Sequence, residues 1–559
     1  MSEREVSESN LWILTFRNST SLEMTNSLLD DRRALWIVAS LTILLFAIGN
    51  LPWQLDDYDQ AKQAFTSFQM IHEGRWLYQQ TPHEQVATKP PLVGWVSAGL
   101  FALTRSWDLA WRLPSLIAAI GLAVLLFRSA SSAYGRVAGI TALAAFGLNL
   151  LSLRLASLVR TDMPLAFVIF VIGVLIWKNI RAAVEWTARE QVYLFALLTI
   201  AMLIKGPIVY AFLLPGIVLF QLRYGRARPP GALFQSAWPG PPRDGFAAAN
   251  WWPWFASLGV FLVWVIGGIM FQPGFYDEVV MREFIGRFGE TIHRPQPLYF
   301  YLPHLIHKFA PWSVLIIAIA IVDLHSRKWR LRSALREMSP DILWLLCWSI
   351  GGLLVMSLIP SKRVDRIFPI VPPLCLLLGA QVAARVSCSH RPVGRLSTSV
   401  DSDSTGHRSA HWTDSSCGEP VATTNAQTHL YLWSAAALFF AIFFTGGYTI
   451  FKVASGYRNH RDALVVFGKK VRREAQAHRW RYEVVSAKDE GLLLYLQKTH
   501  FIEPERAAAE WNNGDLNALV ASTEKAAGLM SQLQGATLSE LKSREKKQEH
   551  GTSYVLITR

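Results

Sequence analysis

The chain has 559 residues, of which 51% are hydrophobic, and it contains 22 tryptophans. This composition exceeds that of a soluble domain and predicts a polytopic membrane protein. The formal net charge is +14, but the basic residues stand between apolar segments, where they orient helices and meet anionic lipid. No basic soluble module with interleaved aromatic residues is present, which argues against nucleic-acid binding. The four cysteines are scattered and match no zinc, redox or disulfide pattern.

Apolar segments predict about eleven membrane-spanning helices, or thirteen if the short middle segments hide broken helices. They cover residues 34–51, 107–127, 137–153, 164–177, 192–204, 207–222, 248–271, 309–324, 342–359, 367–384 and 430–451. A further run, residues 92–103, would reach only ~18 Å as a helix, against ~30 Å for the hydrocarbon core. We expect it to be re-entrant or interfacial.

The Lys/Arg loops predict that the N-terminus is cytoplasmic and that the first span is an uncleaved anchor. The opposite, outer side then collects the residues of chemical interest, Asp59, Lys89, Asp162, Lys205, His293 and Lys362. Charged groups next to a membrane are costly to desolvate unless they bind something or do chemistry. Their convergence on one face is therefore the main argument from the residues for a functional site.

The predicted organisation has five parts. A cytoplasmic N-terminal segment (1–33) precedes a transmembrane catalytic domain (34–385) with outer loops at 53–106 and 272–304. Residues 386–428, rich in Ser, Thr, Asp and His, predict a disordered cytoplasmic linker. The last transmembrane helix (429–451) leads into a small extracytoplasmic α/β domain (452–559), in which 482–485 and 554–557 read as strands and 507–533 as helix.

Two aspartates are candidate catalytic residues. Asp59 begins an amphipathic stretch, so it is either a helix N-cap or a base that acts on an attacking hydroxyl or amine. With Asp57 it formally makes an Asp-x-Asp pattern, which alone is a weak metal–nucleotide signal. Asp162 precedes a Pro at a helix start and is either a cap or a second acidic member of the site.

Several cations on the outer side could together hold a phosphate, although any one of them could instead snorkel to lipid headgroups. They are Lys62, Lys89, Lys205, Lys362 and Arg363. The candidates for positioning an acceptor or substrate are Asp57, His293, Tyr299 and Tyr301. The two tyrosines are also typical of an interfacial belt. No second His stands at ligand spacing from His293, so no metal ligand is assigned.

These motifs follow one another in a specific order. The set is Asp59-Gln60 fifteen residues before Gly74, Lys89-Pro90-Pro91-Leu92, Arg112-Leu113-Pro114-Ser115, Thr161-Asp162-Met163-Pro164, Lys205-Gly206-Pro207, His293 with Tyr299, Tyr301 and Pro311-Trp312, and Lys362-Arg363 with Phe368-Pro369 and Pro372-Pro373. As an ordered set it resembles the C-type (GT-C), polyprenol-dependent glycosyltransferases. The branch it resembles contains protein O-mannosyltransferases and the bacterial lipid A aminoarabinose transferase.

The resemblance implies an inverting transfer of a sugar from a polyprenyl-phosphate donor to a lipid or protein acceptor. The site would lie at the outer face of the cytoplasmic membrane, with membrane lipid as a further partner. Asp59 would deprotonate or orient the acceptor, while Lys62, Lys89 and Lys205 would neutralise the phosphate. No cofactor is implied with certainty, and a divalent metal stays open. Gln60 and Thr88 replace acidic residues of the family pattern, and Thr88 weakens the inference that lipid A is the acceptor.

Two other classes of protein remain as alternatives. A transporter would also contain apolar segments broken at Gly-Pro, and a non-catalytic lipid-binding assembly protein would also expose cations at the membrane. The sequence shows no inverted repeat, and its charges cluster at one membrane face rather than in mid-span. These features favour the enzyme.

Overall fold

The computed structural model describes residues 32–49, 51, 53, 55, 58–182, 186–226, 251–288, 295–389, 424–487, 489–543 and 553–559. The predicted N-terminal segment lies almost wholly outside them. The first half of the described chain is helical. Its helices are α1 (Arg32–Gly49), α2 (Tyr58–Glu73), α3 (Leu92–Thr104), α4 (Trp107–Tyr134), α5 (Arg136–Gly147), α6 (Leu150–Ser157), α7 (Asp162–Ala182), α8 (Ala188–Lys205), α9 (Ile208–Arg226) and α10 (Trp252–Phe271).

The second half continues the bundle. A π-helix (Tyr276–Phe284) and short 3-10 helices (Ile285–Arg287, Leu298–Phe300 and Val364–Ile370) flank the site described below. The α-helices are α11 (Tyr301–Lys308), α12 (Trp312–Ser326), α13 (Leu331–Arg336), α14 (Pro340–Leu358), α15 (Val371–Ser389) and α16 (Thr424–Arg458). Because α15 and α16 extend into residues 386–428, both ends of the predicted linker are helical; its remainder lies outside the described residues.

The chain is a multi-pass membrane protein. By length and composition, seven helices within the described residues can cross a bilayer, and nine if two bent pairs each count as one span. The pairs are α5 with α6, bent by 63°, and Leu298–Lys308 with α12, bent by 105°. Nine of the eleven predicted apolar segments fall on these seven helices and two bent pairs. The other two segments, 192–204 and 207–222, fall on α8 and α9, which are not counted among the nine. Residues 92–103 form the short helix α3.

Glycines bring several helices of the bundle into close contact. A Cβ atom added to Gly351 in α14 would lie 2.5 Å from the backbone nitrogen of Gly216 in α9. One added to Gly173 in α7 would lie 2.0 Å from the indole of Trp348. Small residues at such contacts allow helix backbones to approach closely where no hydrophobic effect drives association. The packing of α7, α9 and α14 therefore requires these glycines.

The C-terminal domain is an α/β unit, as predicted. Its helices are α17 (Ala463–Ala477), α18 (Gly491–Leu496), α19 (Pro504–Asn512) and α20 (Thr523–Met530), and its strands are β1 (Tyr482–Val484), β2 (Ala518–Ser522), β3 (Thr537–Lys542) and β4 (Tyr554–Thr558). The sheet has the order β1-β2-β4-β3, in which only β1 and β2 pair in parallel. The predicted helix over 507–533 is wrong. Gly514, at φ +86°, ends the first helical stretch, and the buried residues that follow form the central strand β2.

This domain packs directly on helix α2. Apolar residues of α2, among them Phe65 and Phe68, share one core with Leu492 and Leu493 of α18. At the edges of that core, the Tyr495 hydroxyl accepts a hydrogen bond from the Leu55 backbone N–H at 2.7 Å. His500 Nε2 lies 2.9 Å from a carboxylate oxygen of Glu73. The helix that begins beside Asp59 is therefore held between the membrane bundle and the C-terminal domain.

Candidate active site

A cavity of about 440 Å³ opens where α2 meets the ends of α7 and α8. Among the described residues its lining carries eight cationic and five acidic side chains, an excess of three positive charges. The cations are Lys62, Lys89, Arg160, Lys205, Arg282, Arg287, Arg363 and Arg366, and the acids are Asp59, Asp162, Glu278, Glu283 and Asp365. So high a charge density in a partly water-excluded space favours an anionic ligand.

Asp59 lies in the first turn of α2 and is anchored by two arginines. It forms an ion pair with Arg363, and its Oδ2 atom lies 3.8 Å from Nη2 of Arg160. Burial by itself raises the pKa of this carboxyl, but the charges of Lys89 and Arg363 and a hydrogen bond from Arg363 outweigh burial. The pKa of Asp59 is therefore lowered from its ordinary value. Asp59 is ionised at neutral pH, so it can accept a hydrogen bond from an acceptor hydroxyl.

The second aspartate is paired with the lysine of another predicted motif. Asp162, at the start of α7, is buried and forms an ion pair with Lys205, the last residue of α8. Gly206 follows with a positive φ of 72°, a conformation that glycine adopts readily, and ends α8 at this point. The carboxylate of Asp162 thus contacts a side chain of the neighbouring helix.

Asp365 connects two arginines at the edge of the cavity. One of its oxygens lies 2.9 Å from Nη1 of Arg160 and 3.6 Å from Nη2 of Arg154. Since Arg160 also approaches Asp59, the side chains alternate in charge from Arg154 through Asp365 and Arg160 to Asp59. Buried charges are tolerated when they are paired in this way.

Lys89 differs from the other lysines of the cavity. It forms no direct ion pair within the described part of the chain, and Asp59 and Asp162 are the carboxylates that act on its charge. Burial lowers the pKa of Lys89 and exceeds the opposing effect of these two aspartates. Burial likewise lowers the pKa of Lys62, against the attraction of Glu490 from the C-terminal domain. Lys89 is therefore the cation best placed to receive an anion.

The structure brings six of the predicted site residues together and separates others. Those in the cavity lining are Asp59, Lys62, Lys89, Asp162, Lys205 and Arg363. Lys362 does not line it, because its buried ammonium group donates a hydrogen bond to the Gln296 carbonyl at 2.9 Å. Tyr299 is 66% exposed and Tyr301 is fully buried, and neither lines the cavity. Asp57 and His293 lie outside the described residues.

Sequence reasoning assigned no role to several residues of the lining. Among them, Arg160 contacts both Asp59 and Asp365, and Arg287 forms an ion pair with Glu283. Both Arg160 and Asp365 stand within three residues of a predicted motif residue, which is the only signal that could have identified them. Among the described residues, no three His, Cys, Asp or Glu side chains come together as a metal site would require.

Residues 88–228 match the family described as dolichyl-phosphate-mannose-protein mannosyltransferase. The chain carries a domain of that family. The matched region supplies three residues of the cavity lining, Lys89 and the ion pair of Asp162 with Lys205. Asp59 and Arg363 come from outside it, so the full cavity requires helix α2 and the segment before α15 as well.

The curated relatives that this chain resembles carry a more specific name. The undecaprenyl phosphate-alpha-4-amino-4-deoxy-L-arabinose arabinosyl transferase 1 of Sodalis glossinidius (strain morsitans) is 27% identical over 356 residues, 61% of this chain and 56% of that protein. The transferase of Erwinia tasmaniensis is 32% identical over 116 residues, 21% of this chain and 19% of that protein. The matches thus span about half the length of the curated relatives or less.

Solved structures show the same fold over nearly the whole chain. ArnT from Cupriavidus metallidurans, bound to undecaprenyl phosphate, superposes with a TM-score of 0.60 at 16% identity, covering 93% of this chain and 97% of that chain. The apo state of the same protein gives a TM-score of 0.54. The predicted GT-C fold, a helical membrane bundle with a small C-terminal domain, is confirmed.

Proposed function

We propose that this protein is a membrane glycosyltransferase that moves a sugar from a polyprenyl-phosphate donor to a lipid or protein acceptor. The observation that carries this proposal is a cavity lined both by an ionised carboxylate, Asp59, and by Lys89, which forms no direct ion pair with any of the described residues. A glycosyl transfer needs both an acceptor-orienting group and a cation for the departing phosphate. The family match and the names of the relatives support the same reaction class.

Lys89 and Lys62 would hold the donor phosphate. As the glycosidic C–O bond breaks, negative charge accumulates on the phosphate oxygen, and a fixed cation stabilises this charge most strongly where water is excluded. The leaving phosphate is itself a stable anion, so no separate general acid is needed. Relatives named for undecaprenyl phosphate support a polyprenyl carrier, which a cavity at the end of a membrane bundle can receive.

Asp59 would orient the acceptor nucleophile. Its lowered pKa makes it a weak base in the ground state, so the proton of the acceptor hydroxyl transfers to it only as the new bond forms. Arg363 and Arg160 hold the carboxylate in place. Attack from the side opposite the departing phosphate inverts the anomeric centre. Positioning of the two reactants would supply most of the rate.

Asp162 and Lys205 would act as a supporting pair. Their ion pair keeps the Lys205 ammonium group in the cavity lining. In that position the lysine can contribute a further positive charge to the phosphate, while Asp162 limits the net charge in the cavity.

We further propose that the protein lies in the cytoplasmic membrane with the cavity and the C-terminal domain on its outer face. The domain packs on α2, so it shares one end of the bundle with Asp59. Helix α7 begins at Asp162 in the cavity lining and ends at Ala182, so Lys178 and Arg181, which belong to a loop predicted to be cytoplasmic, lie at its opposite end. An active site on the outer face, where nucleotide sugars are absent, is consistent with a lipid-linked donor.

The test is transfer of radiolabelled sugar from synthetic polyprenyl-phosphate donors to total membrane lipid and protein by the purified full chain. Wild type is compared with Asp59→Asn and with Asp277→Asn, a control at an exposed aspartate. We expect label to transfer with wild type and the control and to be lost with Asp59→Asn, and its partition identifies the acceptor class. Equal transfer by all three proteins would remove Asp59 from the mechanism. Folded protein that transfers nothing from a panel of pentose and hexose donors would contradict the proposal.

A further inference from the structure

A second group of cations lies beside the cavity but does not line it. Arg154 lies in the last turn of α6, Lys308 ends α11, and Lys452 lies in the last two turns of α16. The ammonium group of Lys452 lies 3.5 Å from the hydroxyl of Ser157, on the same helix as Arg154. Arg154 is within electrostatic range of both Lys308 and Lys452. Three separate helices thus bring positive charges to one place.

These charges are poorly balanced by the protein itself. Among the described residues, the carboxylate in ion-pair contact with the group is Asp365, 3.6 Å from Arg154. Asp365 lies closer to Arg160, at 2.9 Å, and is therefore shared. Like charges within electrostatic range of one another repel, and they repel more strongly where water is partly excluded. A lysine that only snorkels to the interface would turn away from other cations. The convergence of Arg154, Lys308 and Lys452 therefore favours an anionic ligand.

Apolar side chains extend from the same helices. Leu302 and Ile306 of α11 are exposed, and Ile450 and Phe451 of α16 are 72% and 70% exposed. Hydrocarbon attached to an anion bound at the cations could therefore lie along these helices. A ligand with a charged head and an apolar tail fits this arrangement better than a free ion does.

We propose that Arg154, Lys308 and Lys452 form a second anion site, which binds the phosphate group of a membrane-embedded amphiphile. This site is separate from the cavity that would hold the donor phosphate. Its contacts do not depend on the proposed transfer reaction. Inorganic phosphate shares the head-group chemistry but lacks the apolar tail.

The second anion site is connected to Asp59. From Arg154 the distances are 3.6 Å to Asp365, then 2.9 Å from Asp365 to Arg160 and 3.8 Å from Arg160 to Asp59. A phosphate bound to Arg154 competes with Asp365 for that guanidinium and leaves Asp365 more strongly bound to Arg160. Occupation of the second site therefore changes the electrostatic surroundings of the carboxylate that we propose orients the acceptor.

Native mass spectrometry of the detergent-solubilised full chain tests the proposal directly. The probes are phosphatidic acid, diacylglycerol as the matched lipid without phosphate, and inorganic phosphate as a competitor. Wild type is compared with Lys452→Met, with Lys308→Gln, and with Lys469→Met. Lys469 is an exposed control lysine that pairs with Asp108 at the start of α4. Lys89→Met removes a cation from the cavity, so phosphatidic acid bound there can be counted separately.

We expect wild type and Lys469→Met to retain phosphatidic acid in preference to diacylglycerol. Loss of Lys452 or Lys308 should weaken binding roughly tenfold or more, as for a charge-assisted contact. In Lys89→Met the binding that depends on Lys452 should remain. The proposal is overturned if Lys452→Met and Lys308→Gln bind like the control. It is also overturned if diacylglycerol binds as well as phosphatidic acid, or if millimolar inorganic phosphate displaces the lipid completely. Because the readout is binding, none of these outcomes depends on the transfer reaction.

Discussion

Arg363 forms an ion pair with Asp59 although 304 residues separate them in the sequence. Asp59 lies in the first turn of α2, and Arg363 directly precedes the segment that leads into α15. Their contact closes the cavity between α2 and the segment that precedes α15. It also lowers the pKa of Asp59, and this leads to the first prediction.

Replacing Arg363 with Met should shift the acid limb of activity to higher pH. Burial raises the pKa of Asp59, and the charge and hydrogen bond of Arg363 lower it. Without Arg363 the carboxyl therefore becomes protonated at higher pH, and turnover falls as pH decreases through that raised value. Profiles of kcat/KM between pH 4 and 7 check this. Arg363→Lys should restore part of the shift, whereas an unchanged limb in Arg363→Met would contradict the role of this ion pair.

Replacing Lys89 with Met should weaken donor binding by roughly 10- to 100-fold, because a charge-assisted hydrogen bond to phosphate is lost. Burial lowers the pKa of Lys89, so donor affinity of wild type should decrease at alkaline pH, below the ordinary lysine range. Lys89→Arg should keep its affinity there, since guanidinium stays charged. Titration calorimetry with a polyprenyl-phosphate analogue at pH 7 and 9.5 measures both effects. Equal pH dependence in wild type and Lys89→Arg would assign the alkaline loss to another group.

Glu490 should make the stability of the protein depend on pH. It is only 4% exposed, lies 3.9 Å from His83, and burial raises its pKa to about 7. A carboxyl whose folded pKa is raised stabilises the fold fully below its unfolded pKa, and this contribution is lost as pH rises through about 7. Glu490→Gln should therefore be more stable than wild type at pH 8, by on the order of 2 kcal/mol, and similar at pH 5.

Thermal unfolding of the solubilised chain at pH 5 and pH 8 measures this difference. Glu483→Gln is the matched control, since Glu483 is partly exposed on β1 and pairs with Lys498 at 2.9 Å. Tm values of wild type and Glu490→Gln that change in parallel between the two pH values would show that Glu490 does not titrate in this range.

Replacing Gly351 with Ala should destabilise the membrane bundle. The added methyl group would meet the backbone of α9 at Gly216, which cannot move aside as a flexible side chain can. Overpacking of this kind costs roughly 1–3 kcal/mol. Gly259→Ala in α10 is the control, because nothing lies within 4 Å of its Cβ position, and its Tm should stay unchanged or rise. If both variants have the Tm of wild type, the close helix contact is not required.

The sequence predicted the parts of the site that are encoded locally. Asp59, Lys89, Asp162 and Lys205 stand in short motifs at the ends of apolar segments, and all four line the cavity. Lys362 has the same character in the sequence, but its ammonium group bonds to the Gln296 carbonyl instead. A motif indicates that a lysine stands at the membrane surface. It does not indicate which of two adjacent cations faces the ligand.

The sequence by itself determined the membrane class, the positions of the eleven apolar segments and six of the thirteen charged residues that line the cavity, because hydrophobicity and short motifs are local properties. The tertiary structure alone decided the connection from Arg154 through Asp365 and Arg160 to Asp59. It also decided the docking of the C-terminal domain on α2. These contacts join residues that lie far apart along the chain. They depend on how closely the helices pack, and charge alone does not select one partner among many.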